Sequence, residues 1–215
     1  MLGTYQMPHL ATLLAFAAVA LALVLTPGPN MAYLVSRSIA QGPAAGLVSL
    51  LGVGVGFLVY MLLAAFGITA LLLAVPFAYD ALRFAGAAYL LWMAWNALRP
   101  GGASPFQVRT LAKDAPLRLF GMGLLTNLLN PKIAVFYLSL FPQFIDRSGN
   151  VLTQTLVLGG IQIALSMTVN ATFIVTAGTI SAFFIRRPIW AKAQRWLMGT
   201  VLGLLAIRLA TDASR

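Results

Sequence analysis

Two short stretches carry the residue types best able to do chemistry inside an apolar chain. One is Pro27-Gly28-Pro29-Asn30, and the other runs from Asn127 through Asn130-Pro131-Lys132. Proline inside a helix removes a backbone donor and pushes away the carbonyl four residues earlier. Two prolines around a glycine should break a helix rather than bend it, and Pro131 should break a second helix at a matching place. In hydrocarbon an unpaired backbone group is costly, so a broken helix survives only against protein or a water-filled cavity. Such a break offers N–H groups and a positive dipole end to an anion, and free carbonyls to a cation. A zwitterionic amino acid has one charge of each sign, so two facing breaks would suit it. The competing reading makes both prolines packing kinks without a ligand. Polar residues at corresponding places in both breaks favour the ligand site.

Lys132 is the costliest residue of the chain, since a lysine at the centre of a span costs about 2.5–3.5 kcal/mol on insertion scales. It should face a cavity or a carboxylate, meet a substrate carboxylate or carry a transported proton. In a shifted span it would instead snorkel to the interface. Asn127 and Asn130 are three apart and share a helix face, placed for interhelical hydrogen bonds or for ligand contact. Asp80, with Arg83 three residues on, reads as a local ion pair at the membrane edge and as a second candidate for proton coupling. Asp146 beside Arg147 reads as solvated loop, and His9 as an interfacial residue. Gly52-Val53-Gly54-Val55-Gly56 lies inside an apolar stretch and reads as close helix packing, not as a phosphate loop. Trp92, Trp95, Trp190 and Trp196 fit an interfacial aromatic belt. No zinc signature, nucleophile elbow or Walker sequence is present, so neither a cofactor nor a metal nor an enzymatic activity is expected.

The elements that must hold these residues are membrane helices. Of 215 residues, 60% are hydrophobic and 8% charged, and the mean hydropathy is +0.91. A soluble domain is about 25% charged, so a soluble enzyme is excluded. The absence of cysteine excludes disulfides and thiol chemistry. A span needs about 20 apolar residues, and the apolar blocks number six. They run from about Leu10 to Thr26, Gly46 to Leu73, Phe77 to Leu98, Leu117 to Phe141, Val151 to Phe184 and Ala193 to Ala210. The first ends at Pro27-Gly28-Pro29-Asn30. The second and fifth are longer than a span requires, and the second is expected to tilt or turn near Gly67.

Charge sets the expected orientation. Nine basic residues (Arg37, Arg99, Arg109, Lys113, Arg118, Arg186, Arg187, Lys192 and Arg195) fall in loops on one face, against four on the other. The richer face is read as cytoplasmic, with both termini outside. The net charge of +10 is thereby explained by lipid headgroups, and nucleic acid is not an expected partner.

The chain also repeats itself. Pro29-Asn30-Met31-Ala32-Tyr33 resembles Pro131-Lys132-Ile133-Ala134-Val135, 102 residues later. Arg83 precedes Gly86 as Arg195 precedes Gly199, and Gly67 has a counterpart in Gly178. The expectation is a single all-α transmembrane domain, 1–215, of two inverted three-helix repeats with helices 1 and 4 broken. Repeat one covers about 8–99, a loop about 100–116, and repeat two about 117–212. An odd number of spans per half inserts the halves in opposite senses, which permits alternating access. Gly-rich faces also leave room for a homodimer.

These stretches resemble one family, the LysE/RhtB amino-acid exporters. Thr26-Pro27-Gly28-Pro29-Asn30, Gly86-Ala87-Ala88-Tyr89-Leu90 and Phe120-Gly121 are similar to it. So are Asn127 to Lys132, Phe141-Pro142-Gln143-Phe144, and Arg195 through Gly199 to Gly203. The resemblance implies a bacterial inner-membrane exporter of amino acids driven by the proton gradient, with Pro27–Asn30 and Asn130–Lys132 lining the path. Many members carry aspartate where this chain has Asn30. That departure leaves Lys132, Asp80 or water as proton carriers and favours a neutral substrate. An uncoupled channel or facilitator, or a membrane-embedded assembly factor or enzyme, is the alternative reading.

Overall fold

The computed structural model describes residues 8–68, 76–99, 113–146, 148–186 and 188–211, and among these every regular element is helical. Helix α1 is Leu10–Leu25 and α2 is Pro29–Gln41. Helix α3, Pro43–Leu63, continues as a π-helical turn, Ala64–Ile68. Helix α4 is Pro76–Leu98, α5 is Pro116–Leu128 and α6 is Pro131–Val135. The last runs on as a π turn, Phe136–Leu140, and a 3-10 turn, Phe141–Phe144. Helices α7, Val151–Arg186, and α8, Pro188–Thr211, complete the chain. Proline begins most of these helices, where its missing N–H costs nothing.

Both expected breaks are present. The axes of α1 and α2 differ by 52° across Pro27 and Pro29, and those of α5 and the Pro131–Phe144 segment differ by 46°. The stretch Pro43–Phe66 and the stretch Val151–Thr179 are each long and apolar enough to cross a bilayer, and each bent pair can serve as one further crossing.

Two sequence expectations need correcting. Block one does not end at Asn30. The chain resumes as the 13-residue α2, so Arg37 lies on a helix and not in a loop. Met31, Leu34, Val35 and Ser38 make one buried face of that helix, which is enough apolar surface to hold it against its neighbours. Gly42, at φ 92°, supplies the left-handed turn into α3. Second, α7 passes straight through Gly178, whereas the backbone at Gly67 is π-helical. The two glycines are therefore not local counterparts. Most of the hydrophilic loop and the side chains of Asp80, Arg83 and Arg195 lie outside the described residues, and the readings made on them are neither supported nor corrected.

Helix α3 packs on α5, α1 on α7, α4 on α8, and α3 on α7. The α3–α5 seam is set by glycine. A Cβ at Gly52 would lie 2.0 Å from the Phe120 carbonyl oxygen, and one at Gly123 2.1 Å from that of Ser49. Helix backbones meet there directly. At Gly86 on α4 and Gly199 on α8 the space a Cβ would need is instead taken by the side chains of Ser139 and Leu98. The core beside the breaks is aromatic. Phe16 sits 5.2–5.8 Å from the rings of Phe136, Phe141 and Phe144, and Tyr137 stacks between Tyr60 and Phe141. This cluster clamps α1 to the segment that follows the second break.

Candidate functional site

At the first break, Pro27 cannot supply the N–H that the Leu23 carbonyl would take in a continuous helix. Lys132 supplies the missing donor. Its Nζ donates to the Leu23 carbonyl at 3.1 Å and to the Thr26 carbonyl at 2.7 Å. A lysine nitrogen there also meets the negative end of α1. The side chain is only 4% exposed, so Lys132 runs into the protein and does not snorkel along its surface. Gly28 makes this approach possible, because a Cβ at that position would lie 2.9 Å from Lys132 Nζ.

At the second break, Asn130 caps the new helix: its Oδ1 accepts from the Lys132 backbone N–H at 3.0 Å. Its Nδ2 reaches across and donates to Asn30 Oδ1 at 2.9 Å. The Leu128 carbonyl, left over at the end of α5, accepts from the Tyr60 hydroxyl at 2.8 Å. The two proline motifs, a hundred residues apart in sequence, are therefore joined by Asn30–Asn130 and by the lysine bridge.

Of the eight residues singled out as substrate-binding, Asn30, Asn130 and Lys132 are buried together, and Gly28 lies against them. Pro27 is half-buried, while Pro29 and Pro131 are exposed and act through the backbone they interrupt. Asn127 is fully buried but turned towards Gly56 of α3, and neither its Oδ1 nor its Nδ2 has a hydrogen-bond partner. Asp80 offers no test of a coupling role, its side chain lying outside the described residues.

Beside the breaks lies a cavity of about 20 Å³, room for a single water-sized body. Asn30, Lys132, Gln162, Ser166 and Asn170 supply its polar wall, and Leu23, Val24, Met31, Phe57 and Ile133 much of its apolar one. Gln162, Ser166 and Asn170 come from α7 and were missed in the sequence. Their spacing of four residues puts them on one face of a helix, a signal that block hydropathy averages away. An amino acid can enter this cavity only if its walls part.

A second polar cluster lies where α2 ends. Asp114 pairs with Arg37 and with Arg118, the latter at 3.1 Å. It also exchanges two hydrogen bonds of 2.9 Å with the Gln41 side chain. The guanidinium of Arg37 rests 5.5 Å from the centre of the Tyr33 ring, whose hydroxyl donates to the Leu119 carbonyl. These contacts tie α2 to the start of α5. Asp146 is exposed, and the hydroxyl and backbone N–H of Ser148 hold its carboxyl below the usual carboxylate range. Trp92, Trp95 and Trp196 are exposed. Among the described residues no group of histidines and acids could hold a metal ion.

A family model described as LysE type translocator matches residues 21–213. A homoserine/homoserine lactone efflux protein of Salmonella typhimurium is 33% identical over 190 residues, covering 88% of this chain and 91% of that protein. A leucine efflux protein of an Enterobacter species is 32% identical over 200 residues, covering 88% and 90%. An uncharacterized membrane protein of Pseudomonas aeruginosa is 30% identical over 197 residues, with the same coverage. No solved structure matches the chain.

Proposed function

Because the chain belongs to the LysE type translocator family, and is thus a membrane transporter and not an enzyme, we propose that it exports a small neutral amino acid across the bacterial cytoplasmic membrane. The observation that carries this reading is the meeting of two broken helices, Asn30 to Asn130 and Lys132 to the α1 carbonyls, beside a buried polar cavity. Broken helices at membrane depth place backbone groups where a solute can use them. The names of the efflux relatives support an amino acid as that solute.

The proposed site comprises Pro27, Gly28, Pro29, Asn30, Asn127, Asn130, Pro131 and Lys132. Six crossings are proposed, with α4 and α8 as the third and sixth, in two inverted halves with both termini outside. The packing supports that arrangement, since exchanging the halves turns the α1–α7 contact into α5–α3 and leaves α4–α8 and α3–α7 unchanged. Alternating access would part the cavity walls towards one side and then the other. Protons moving inward would drive export, with Lys132 and Asp80 as the coupling groups, and the transporter would work alone or as a homodimer.

The test is purified protein in liposomes under an imposed pH gradient, assayed for accumulation of each amino acid. Uphill, gradient-dependent accumulation of at least one neutral amino acid is expected. Movement that only equilibrates would make the protein a facilitator, and no movement of any amino acid would overturn the assignment.

A further inference from the structure

We propose that the α7 face formed by Gln162, Ser166 and Asn170, with the Asn30 amide opposite, is the selectivity wall of the transport site and fits a zwitterion with an uncharged side chain. The inference rests on the exporter reading and adds residues that neither the proline motifs nor the relatives' names indicate. Three polar side chains on successive turns of a 36-residue apolar helix, each 3% exposed, are costly unless their polar atoms are used.

Only part of that capacity is used within the protein. Both polar atoms of Gln162 have a partner, its Oε1 accepting from the Tyr137 hydroxyl at 2.6 Å and one hydrogen of its Nε2 going to Ser166 Oγ at 2.8 Å. That pairing fixes Ser166 Oγ as an acceptor from the glutamine and leaves its own hydrogen to point elsewhere. Asn170 Nδ2 donates to the Ser166 carbonyl, which leaves Asn170 Oδ1 as a spare acceptor. Across the cavity, Asn30 Nδ2 is buried and has no partner. On the two walls of this cavity, among the described residues, the polar groups without a partner are the Ser166 hydroxyl hydrogen and Asn30 Nδ2 as donors and Asn170 Oδ1 as an acceptor, beside the second amide hydrogens of Gln162 and Asn170.

A carboxylate needs donors, and an ammonium needs acceptors. Free donors on both walls and a free acceptor on α7 match the two ends of an amino acid, with Lys132 adding positive charge on the carboxylate side. The rest of the lining is apolar, and no acid lines the cavity. A lysine or arginine side chain would enter without a counter-charge, which a buried site penalises heavily. The wall thus selects by what it lacks as well as by what it offers.

Wild type and Asn170→Asp are compared in liposomes with labelled leucine, homoserine and lysine. Wild type should favour a neutral substrate over lysine, and Asn170→Asp should raise the lysine-to-neutral ratio at least tenfold by supplying the missing acid. A folded Asn170→Asp that transports with an unchanged ratio overturns the wall and leaves the exporter standing. Wild-type preference for lysine overturns it too. Wild type that moves no amino acid removes the exporter reading itself, and the wall with it. Should Asn170→Asp fail to give monodisperse protein, Ser166→Ala decides instead. Loss of a carboxylate donor should raise the half-saturating neutral substrate concentration about tenfold with little change in maximal rate, and an unchanged value refutes the proposal.

Discussion

The two helix breaks use similar residues but are supported in opposite ways. The break at Pro131 caps its own new helix through the Asn130 side chain, and only the Leu128 carbonyl needs a remote donor, the Tyr60 hydroxyl of α3. The break at Pro27 begins on Gly28, which has no side chain to cap with, and relies on Lys132 for its freed carbonyls. Their surroundings differ in the same sense. Behind α5 lies the glycine seam with α3, where backbones touch, and beside α1 lies the polar face of α7 with its cavity. One break is locked into a rigid seam, and the other is held by two movable side-chain contacts, the lysine bridge and the Asn30–Asn130 hydrogen bond. An apolar seam of glycines resists displacement, whereas a lysine bridge can be exchanged for other donors, so motion should concentrate on the α1–α2 side.

The largest effect is expected from attacking the rigid side. In Gly52→Val the new Cβ would overlap the Phe120 carbonyl, which belongs to backbone and cannot step aside. Overpacking of that kind costs about 3 kcal/mol, and thermal unfolding in detergent should show the α3–α5 seam lost. Unchanged melting would mean that the helices do not touch as closely as described.

Next come the two carbonyl donors, compared directly. Lys132→Met keeps the length but leaves the Thr26 carbonyl without its donor, a loss of about 2 kcal/mol, and transport in liposomes should cease. Tyr60→Phe removes a single neutral hydrogen bond, worth about 1 kcal/mol, and transport should persist. Equal transport by both variants would erase the distinction between the breaks.

These pairings show what can be read from the sequence and what cannot. Six apolar blocks and two proline interruptions are visible in the chain because hydropathy and missing N–H groups act locally. The helix after the first break reads as a loop in the sequence because Arg37 and Ser38 dilute its apolar content, although Met31, Leu34 and Val35 keep helical spacing. The partner of Lys132 was not legible, since its acceptors are backbone carbonyls 106 and 109 residues away, and a carbonyl carries no sequence signal. The α7 face was legible in principle, as three polar residues spaced by four. A long apolar block hides it, because hydropathy averaged over the block stays high.

A smaller effect is expected at the end of α2. Asp114→Asn removes the charge that Arg37 and Arg118 share but keeps a group able to bond Gln41. Partly exposed ion pairs of this sort contribute about 1 kcal/mol or less. The chain lacks cysteine, so Ser166→Cys provides a unique thiol on the cavity wall. With Asp114→Asn added, labelling of that thiol by a membrane-impermeant reagent should quicken severalfold from the face that carries Arg37. Unchanged labelling would show that the Asp114 cluster does not restrain α2.

The smallest change in stability, and the sharpest contrast with it, belongs to Asn127. This side chain is buried at the last turn of α5, with both polar atoms unpaired and Gly56 making room for it. An unpaired buried amide costs about 1–3 kcal/mol, so a residue kept only for folding would not be asparagine. Asn127→Leu branches alike but is bulkier, so relief of the unpaired amide is offset by tighter packing on Gly56; it should melt at the same temperature or slightly higher, while transport falls. The opposite outcome, lower stability with normal transport, would make Asn127 a structural residue of the rigid seam. It would then leave the α1–α2 side, with the α7 wall and Asn30, as the place where the solute is held.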